Sequence, residues 1–214
     1  MTLEAGLRAG ADALGLALDD GQVAKLLQYL GLLQKWGKVY NLTAVRDPAE
    51  MLSHHLLDSL AIVGPLRRQT GTQPTRLLDV GSGAGLPGVV VAVCCPEVQV
   101  ECLDAVAKKA AFVQQAAGTL QLPNLRGVHG RVEQVNEAYD LVSSRAFASL
   151  ADFVSGSRAA LRHGGTWVAM KGKRPDAELA QLPPDIDVFH VEQLVVPGLQ
   201  ADRCIVWMRV RADR

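Results

Sequence analysis

Long apolar runs are missing from this 214-residue sequence. The longest candidate, Gly88 to Cys95, is closed by Pro96 and falls far short of the roughly 20 residues that span a bilayer. A membrane-spanning helix is therefore excluded and no membrane partner is expected. The opening MTLEAGLRAG has Glu4 and no basic segment leading into an apolar one, so a secretory signal is not expected and the cytoplasm is the expected location. Cysteine is scarce: Cys94, Cys95, Cys102 and Cys204 show no C-x-x-C spacing and no paired framework, which points to reduced core thiols. Net charge is also missing, because 22 basic residues balance 22 acidic ones, and a chain without a general field does not attract polyanions at long range. A local basic patch for one structured RNA remains open.

What is present is a core-forming composition, 49% hydrophobic, enough for one domain with an extension. The first third reads helical. Asp19 or Asp20 can cap a segment whose Val23, Leu26, Leu27, Leu30, Leu33 and Trp36 recur at helical spacing. Asp47-Pro48-Ala49-Glu50 places an acidic cap, a proline at the first helical position and a glutamate where a capping box wants it. These features set a helical extension over residues 1–68, and polar turn residues from Gln69 to Thr75 separate it from a second unit over 75–214. There, β-rich runs alternate with helical ones, the pattern of βαβ units. Strands are expected near Leu77–Val80, Val98–Leu103, Leu125–His129, Asp140–Ser144, Thr166–Lys171, Asp187–Val195 and Cys204–Val210, with helices over Val106–Leu120 and Leu150–Leu161. The last two strands are joined by too few residues for a helical crossover and should pair antiparallel. A mostly parallel seven-stranded sheet with an antiparallel last strand is the arrangement of the class I S-adenosylmethionine-dependent methyltransferases, a Rossmann-like α/β fold.

Two glycine fingerprints overlap in LLDVGSGAGLPG, Leu77 to Gly88. Gly81, Gly83 and Gly85 spell G-x-G-x-G after an acidic strand residue, and Gly83, Gly85 and Gly88 spell the G-x-G-x-x-G of a dinucleotide site. Either turn is expected to bring backbone N–H groups to a ligand. The neighbours separate them: Asp79, expected at the mouth of the turn, repels a pyrophosphate and favours the ammonium and sulfonium of S-adenosylmethionine. Asp104, ending the next strand, suits ribose hydroxyls in either case. No Lys-Ser or Lys-Thr follows the glycines, so a P-loop is excluded.

After the fourth strand, DLVSSRAFAS contains neither an Asn/Asp-Pro-Pro-aromatic stretch, common where exocyclic amines are methylated, nor the cysteine that pyrimidine C5 methylation needs. An acceptor with its own lone pair, such as a purine ring nitrogen, fits this absence, as does a small-molecule acceptor. Arg145 and Lys171 end adjacent strands on the expected ligand edge, and Lys171 with Lys173 and Arg174 offers a compact anion site. His54 and His55 diverge on a helix and have no third partner for a metal, so no metal is expected. One should face the core and the other pair with Asp58 or Ser59.

YNLTAV, HHLLDSLAI, LLDVGSGAGLPG, SRAFASL and MKGK together closely resemble the glucose-inhibited division protein B family, also called ribosomal RNA small subunit methyltransferase G. The resemblance runs from Asn41 to Lys173 and more weakly to Arg203. It implies an enzyme that methylates N7 of one guanine in the 530 loop of 16S rRNA with S-adenosylmethionine, acting on 16S rRNA or the small ribosomal subunit; nothing in the sequence requires more than a monomer. It also implies cofactor contacts at Gly81, Gly83 and Leu86, at the backbone of Val132 and Glu133, and at Arg145, beside Asp79 and Asp104. Asn41, His54, His55, Lys171 and Arg203 match positions on the substrate side, with Arg145 and Lys171 closest to the chemistry. The rival readings are a small-molecule methyltransferase and a non-catalytic S-adenosylmethionine-binding assembly factor.

Overall fold

The structure, a computed structural model, describes residues 2–212 apart from 72, 146 and 148, so two alanines of the SRAFASL stretch, Ala146 and Ala148, lie outside the described residues. Helix α1 (Leu3–Ala13) is capped by Thr2, and α2 (Asp20–Tyr40) begins at Asp19, whose carboxylate accepts from the Gln22 N–H while the Gln22 side chain returns to the Asp19 N–H. That reciprocal box satisfies two N–H groups a helix start leaves open. Asp47 caps α3 (Pro48–Met51) as expected, accepting from both Ala49 and Glu50 N–H. A π-helical segment (Leu52–Leu57) then joins α3 to α4 (Asp58–Leu60), and α5 (Val63–Thr70) leads to the sheet.

The sheet holds β1 (Thr75–Val80), β2 (Val98–Asp104), β3 (Leu125–His129), β4 (Tyr139–Ser144), β5 (Leu161–Lys171), β6 (Ile186–Leu194) and β7 (Arg203–Val210) in the order β3-β2-β1-β4-β5-β7-β6. The first five strands run parallel, and β7 lies antiparallel between β5 and β6. Helices α6 (Gly88–Cys94), α7 (Ala107–Thr119), α8 (Leu150–Ser157) and α9 (Asp176–Leu179) occupy the connections. Strand β5 begins earlier than expected because His163 and its neighbours are exposed, leaving no apolar alternation to mark them. Helix α8 stops before Leu161 and tightens into a 3₁₀ turn, Arg158–Ala160.

Strand residues alternate between two cores, as a period of two requires. Leu77, Cys102, Leu141, Val168 and Ile205 face a thick layer containing α1, α2, α6 and α7, while Leu78, Leu103, Val142, Trp167 and Val206 face α8. The N-terminal helices thus share one continuous core with the sheet. Helix α6 is buried at all seven positions, which explains its uninterrupted apolar sequence. All four cysteines are buried and unpaired, with their thiols raised above the ordinary range chiefly by burial.

Candidate active site

The strand order reverses between β1 and β4, and in open α/β sheets such a reversal opens a crevice at the carboxyl ends of the strands. The glycine turn leaves β1 there. Gly81, Gly83 and Gly85 have φ of 66°, 60° and 91°, a region where any other residue costs about 1–2 kcal/mol. A Cβ on Gly83 would meet no atom within 4 Å, so its missing side chain leaves the crevice open.

The hydrogen bonds of this turn correct one expectation. The N–H groups of Gly81 and Ser82 donate to the Leu103 carbonyl (2.9 and 3.1 Å), that of Gly83 to Asp104 Oδ2 (2.9 Å), and those of Gly85 and Leu86 to the Ser82 carbonyl (2.8 and 3.1 Å). They are spent inside the protein and do not reach for a ligand. An anion needs free donors, and this turn has few. A turn so poor in free donors does not favour an anionic ligand.

Asp79 requires a second correction. It does not stand at the mouth of the turn but is fully buried, because it shares the sheet face of Leu77 and lies in register between Cys102 and Ser143 under α6. Its Oδ2 accepts from the Gly88 N–H (3.0 Å) and its Oδ1 from the Ser143 hydroxyl (3.1 Å). Burial pushes its carboxyl up to about 6, with those two hydrogen bonds and Arg145 opposing the rise. Asp79 ties the start of α6 to the sheet and so shapes the turn from behind. Asp104 grips the turn from the other side, accepting from Gly83 and, through Oδ1, from the Val106 N–H (2.8 Å). Tyr29, buried on α2, donates to the Ala84 carbonyl (2.7 Å), so the N-terminal helices also brace the turn.

Two cavities with shared lining residues lie at this edge, the inner one against the turn. The inner one, about 200 Å³, is lined by Gly81, Ser82, Gly83, Ala84 and Leu86 and by Lys109. The outer one, about 350 Å³, is lined by His54, Asp58, Lys171 and Arg203 among others. His55 and Arg145 line both and form the wall between them.

The outer wall is held by ion pairs. Asp58, with 4% of its side chain exposed, accepts from Arg145 Nη1 (3.1 Å) and from Arg203 Nε (2.7 Å) on separate oxygens. Lys171 Nζ pairs with Glu178 (2.8 Å) and donates to the Phe147 carbonyl (3.2 Å), while Glu178 also accepts from the Leu150 N–H. Arg174 pairs with Asp176, so the expected compact anion site of Lys171, Lys173 and Arg174 is broken up by acidic partners.

The histidines divide as expected in one respect only. His55 is buried, its Nε2 lies 2.7 Å from Thr43 Oγ1, and burial lowers its pKa, keeping it neutral. His54 is exposed and pairs with neither Asp58 nor Ser59; its Nδ1 lies against the Glu50 carbonyl and the Ser53 hydroxyl, because Asp58 is already committed to arginines. Asn41 ends α2 in the left-handed conformation, exposed and outside both cavities, where its N–H returns to the Gly37 carbonyl. Val132 and Glu133 form a 3₁₀ turn beyond β3, with Val132 buried and Glu133 exposed.

Residues 22–206 match the model of the GidB family, described as rRNA small subunit methyltransferase G. The chain belongs to this family. It is 64% identical over 216 residues to the ribosomal RNA small subunit methyltransferase G of Acidovorax ebreus (strain TPSY), covering 97% of this chain and 96% of that one. The protein of the same name from Polaromonas sp. (strain JS666 / ATCC BAA-500) is 64% identical over 213 residues, covering 98% and 94%. Among solved structures, TrmN from Thermus thermophilus aligns with a TM-score of 0.57 at 18% identity, over 75% of this chain and 53% of its own. An S-adenosylmethionine-dependent methyltransferase from Geobacter sulfurreducens, in complex with S-adenosylhomocysteine, aligns at 0.55 and 12%, over 72% and 90%. The fold is that of the class I methyltransferases.

For this member of the GidB family, the sequence reading passed over Thr43, Lys109 and Glu178 and gave Asp58 no role beyond a histidine partner. A signal for Asp58 was present: an acidic residue flanked by Leu56, Leu57 and Leu60 on a helix that must pack is seldom buried without a partner. Nothing local marked Glu178, whose partners come from β5 and the start of α8.

Proposed function

We propose that the chain transfers a methyl group to N7 of a single guanine in the 530 loop of small-subunit rRNA. Membership of the family makes it an S-adenosylmethionine-dependent methyltransferase, and when bound that cofactor supplies an electrophilic methyl carbon on a sulfonium. The inner chamber is its place in this reading: the donor-poor turn at Gly81 and Gly83 meets the cationic end, Leu86 closes the apolar side, Asp104 takes ribose hydroxyls, and the backbone of Val132 and Glu133 meets the adenine. Lys109 supplies a cation for its carboxylate, and Arg145 stands in the wall between this chamber and the outer one.

The observation that carries the reading is the pair of chambers with one shared wall, a compartment lined by the glycine turn beside a compartment lined by Arg145, Lys171 and Arg203. A guanine ring nitrogen has its lone pair in the ring plane and attacks without losing a proton, so alignment and proximity do the catalysis. The nearby carboxylates suit that demand, since Asp58 is held by two arginines and Asp104 by backbone N–H groups, leaving neither poised as a base. His54 and His55, which line the outer chamber, border the path of an unstacked loop base, which enters more easily than one in a helix. In this reading the protein acts as a monomer in the cytoplasm, on 16S rRNA or the small ribosomal subunit.

Chemical cleavage at N7-methylguanine in 16S rRNA, compared between cells with and without the gene, tests the reading. The 530-loop signal disappears without the gene; an unchanged signal overturns the assignment.

A further inference from the structure

Among the described residues lining the outer chamber, Asp58 is the acidic one. It sits on α4, directly after the π-helical segment, with its side chain almost wholly removed from water. A carboxylate taken out of water is tolerated only when paired, and Asp58 is paired twice. One oxygen receives Arg145 from the end of β4, the other receives Arg203 from the start of β7. Three stretches far apart in the chain meet on this one group.

We propose that Asp58 is a positioning residue for methyl transfer, holding Arg145 and Arg203 as a preset pair that receives an anionic group of the rRNA, a phosphodiester, beside the wall of the inner chamber. Two guanidiniums around one carboxylate keep a net positive charge, so the pair still attracts a phosphate. Arginine has many rotamers, and fixing two of them before the RNA arrives removes that ordering from the binding step. Arg203 Nη1 also donates to the Asp202 carbonyl (2.9 Å), so its orientation is set at two points. The inference rests on the rRNA reading above.

The test uses the full chain with Asp58→Asn and Asp58→Glu, unmethylated small subunits and S-adenosylmethionine. Single-turnover transfer at saturating subunit falls on the order of 30-fold in Asp58→Asn, while calorimetric affinity for the donor stays within about threefold of wild type. Asp58→Glu keeps the charge but displaces it by one methylene, so its rate stays at least about tenfold low while its melting temperature stays close to wild type. Full rate in Asp58→Glu would reduce the role to charge balance and overturn the proposal, as would an Asp58→Asn rate within twofold of wild type. A second readout does not depend on activity: the Arg203 Nε–H resonance in ¹⁵N spectra is sharp in the wild type and broadened in Asp58→Asn. A sharp resonance in both proteins overturns the positioning role, whereas a wild type that leaves subunit RNA unmethylated while showing the broadening contrast faults the rRNA reading alone.

Discussion

The inner chamber takes much of its wall from one short stretch, Gly81 to Leu86, completed by side chains such as Thr43, His55, Lys109 and Arg145, whereas the outer chamber takes most of its polar wall from charged side chains on α4, β5 and β7 and just past β4. The first is shaped by what residues lack: no Cβ at the three turn glycines, few free N–H groups for an anion. The second is shaped by what each charge finds, Asp58 for two arginines and Glu178 for Lys171. A backbone-built wall should fail when volume is added, and a side-chain-built wall should fail when a partner is removed. Steric changes at the turn should therefore outweigh the loss of any single ion pair.

The largest effect is expected at Gly88. A Cβ there would stand 2.3 Å from Cys102 Sγ and 3.1 Å from Asp79 Oδ2, so Gly88→Ala should cost about 3 kcal/mol by overpacking, measured by denaturant unfolding. A cost under about 1 kcal/mol would show that the turn relaxes, and the contrast between the chambers would weaken.

Next comes Asp79, where the comparison is sharpened by pH. Its carboxyl is raised to about 6 in the folded chain and returns to about 4 on unfolding. The folded state thus binds the proton more tightly, and the contribution of this group to stability is full below pH 4 and lost as the pH rises to about 6. Stability of wild type relative to Asp79→Asn should fall by roughly 2 to 3 kcal/mol across that window. A flat difference between pH 4 and 6 would mean that the hydrogen bonds from Gly88 and Ser143, with Arg145, fully offset the burial of the carboxylate.

The smallest effect belongs to the outer wall. Glu178→Gln removes the charge partner of Lys171, whose side chain is 14% exposed, and keeps an oxygen for the Leu150 N–H. Stability should drop by about 1 kcal/mol, with slower rRNA methylation and unaltered donor affinity by calorimetry. Weakened donor binding would show that the two chambers do not divide the work.

Much of the fold was legible because local patterns carry it. The caps at Asp19 and Asp47, the period-two strands and the glycine turn all depend on residues a few positions apart. The burial of Asp79 was legible too, since Leu77 and Asp79 lie two apart on one strand and must share a face. Reading Asp79 from its place before the glycines, and not from its strand face, sent it to the wrong side. The placement of β7 between β5 and β6 was less accessible, because antiparallel pairing of the last two strands holds whichever of them borders β5.

The amino-acid order alone determined that Gly81, Gly83 and Gly85 make a left-handed turn after a buried strand, because φ is limited by the residue's own side chain and its immediate neighbours. Only the tertiary structure decided that Arg145 and Arg203 share Asp58 and that His55 meets Thr43. Charges and hydrogen bonds act across space at a few ångströms, and which groups come that close is set by how distant segments pack.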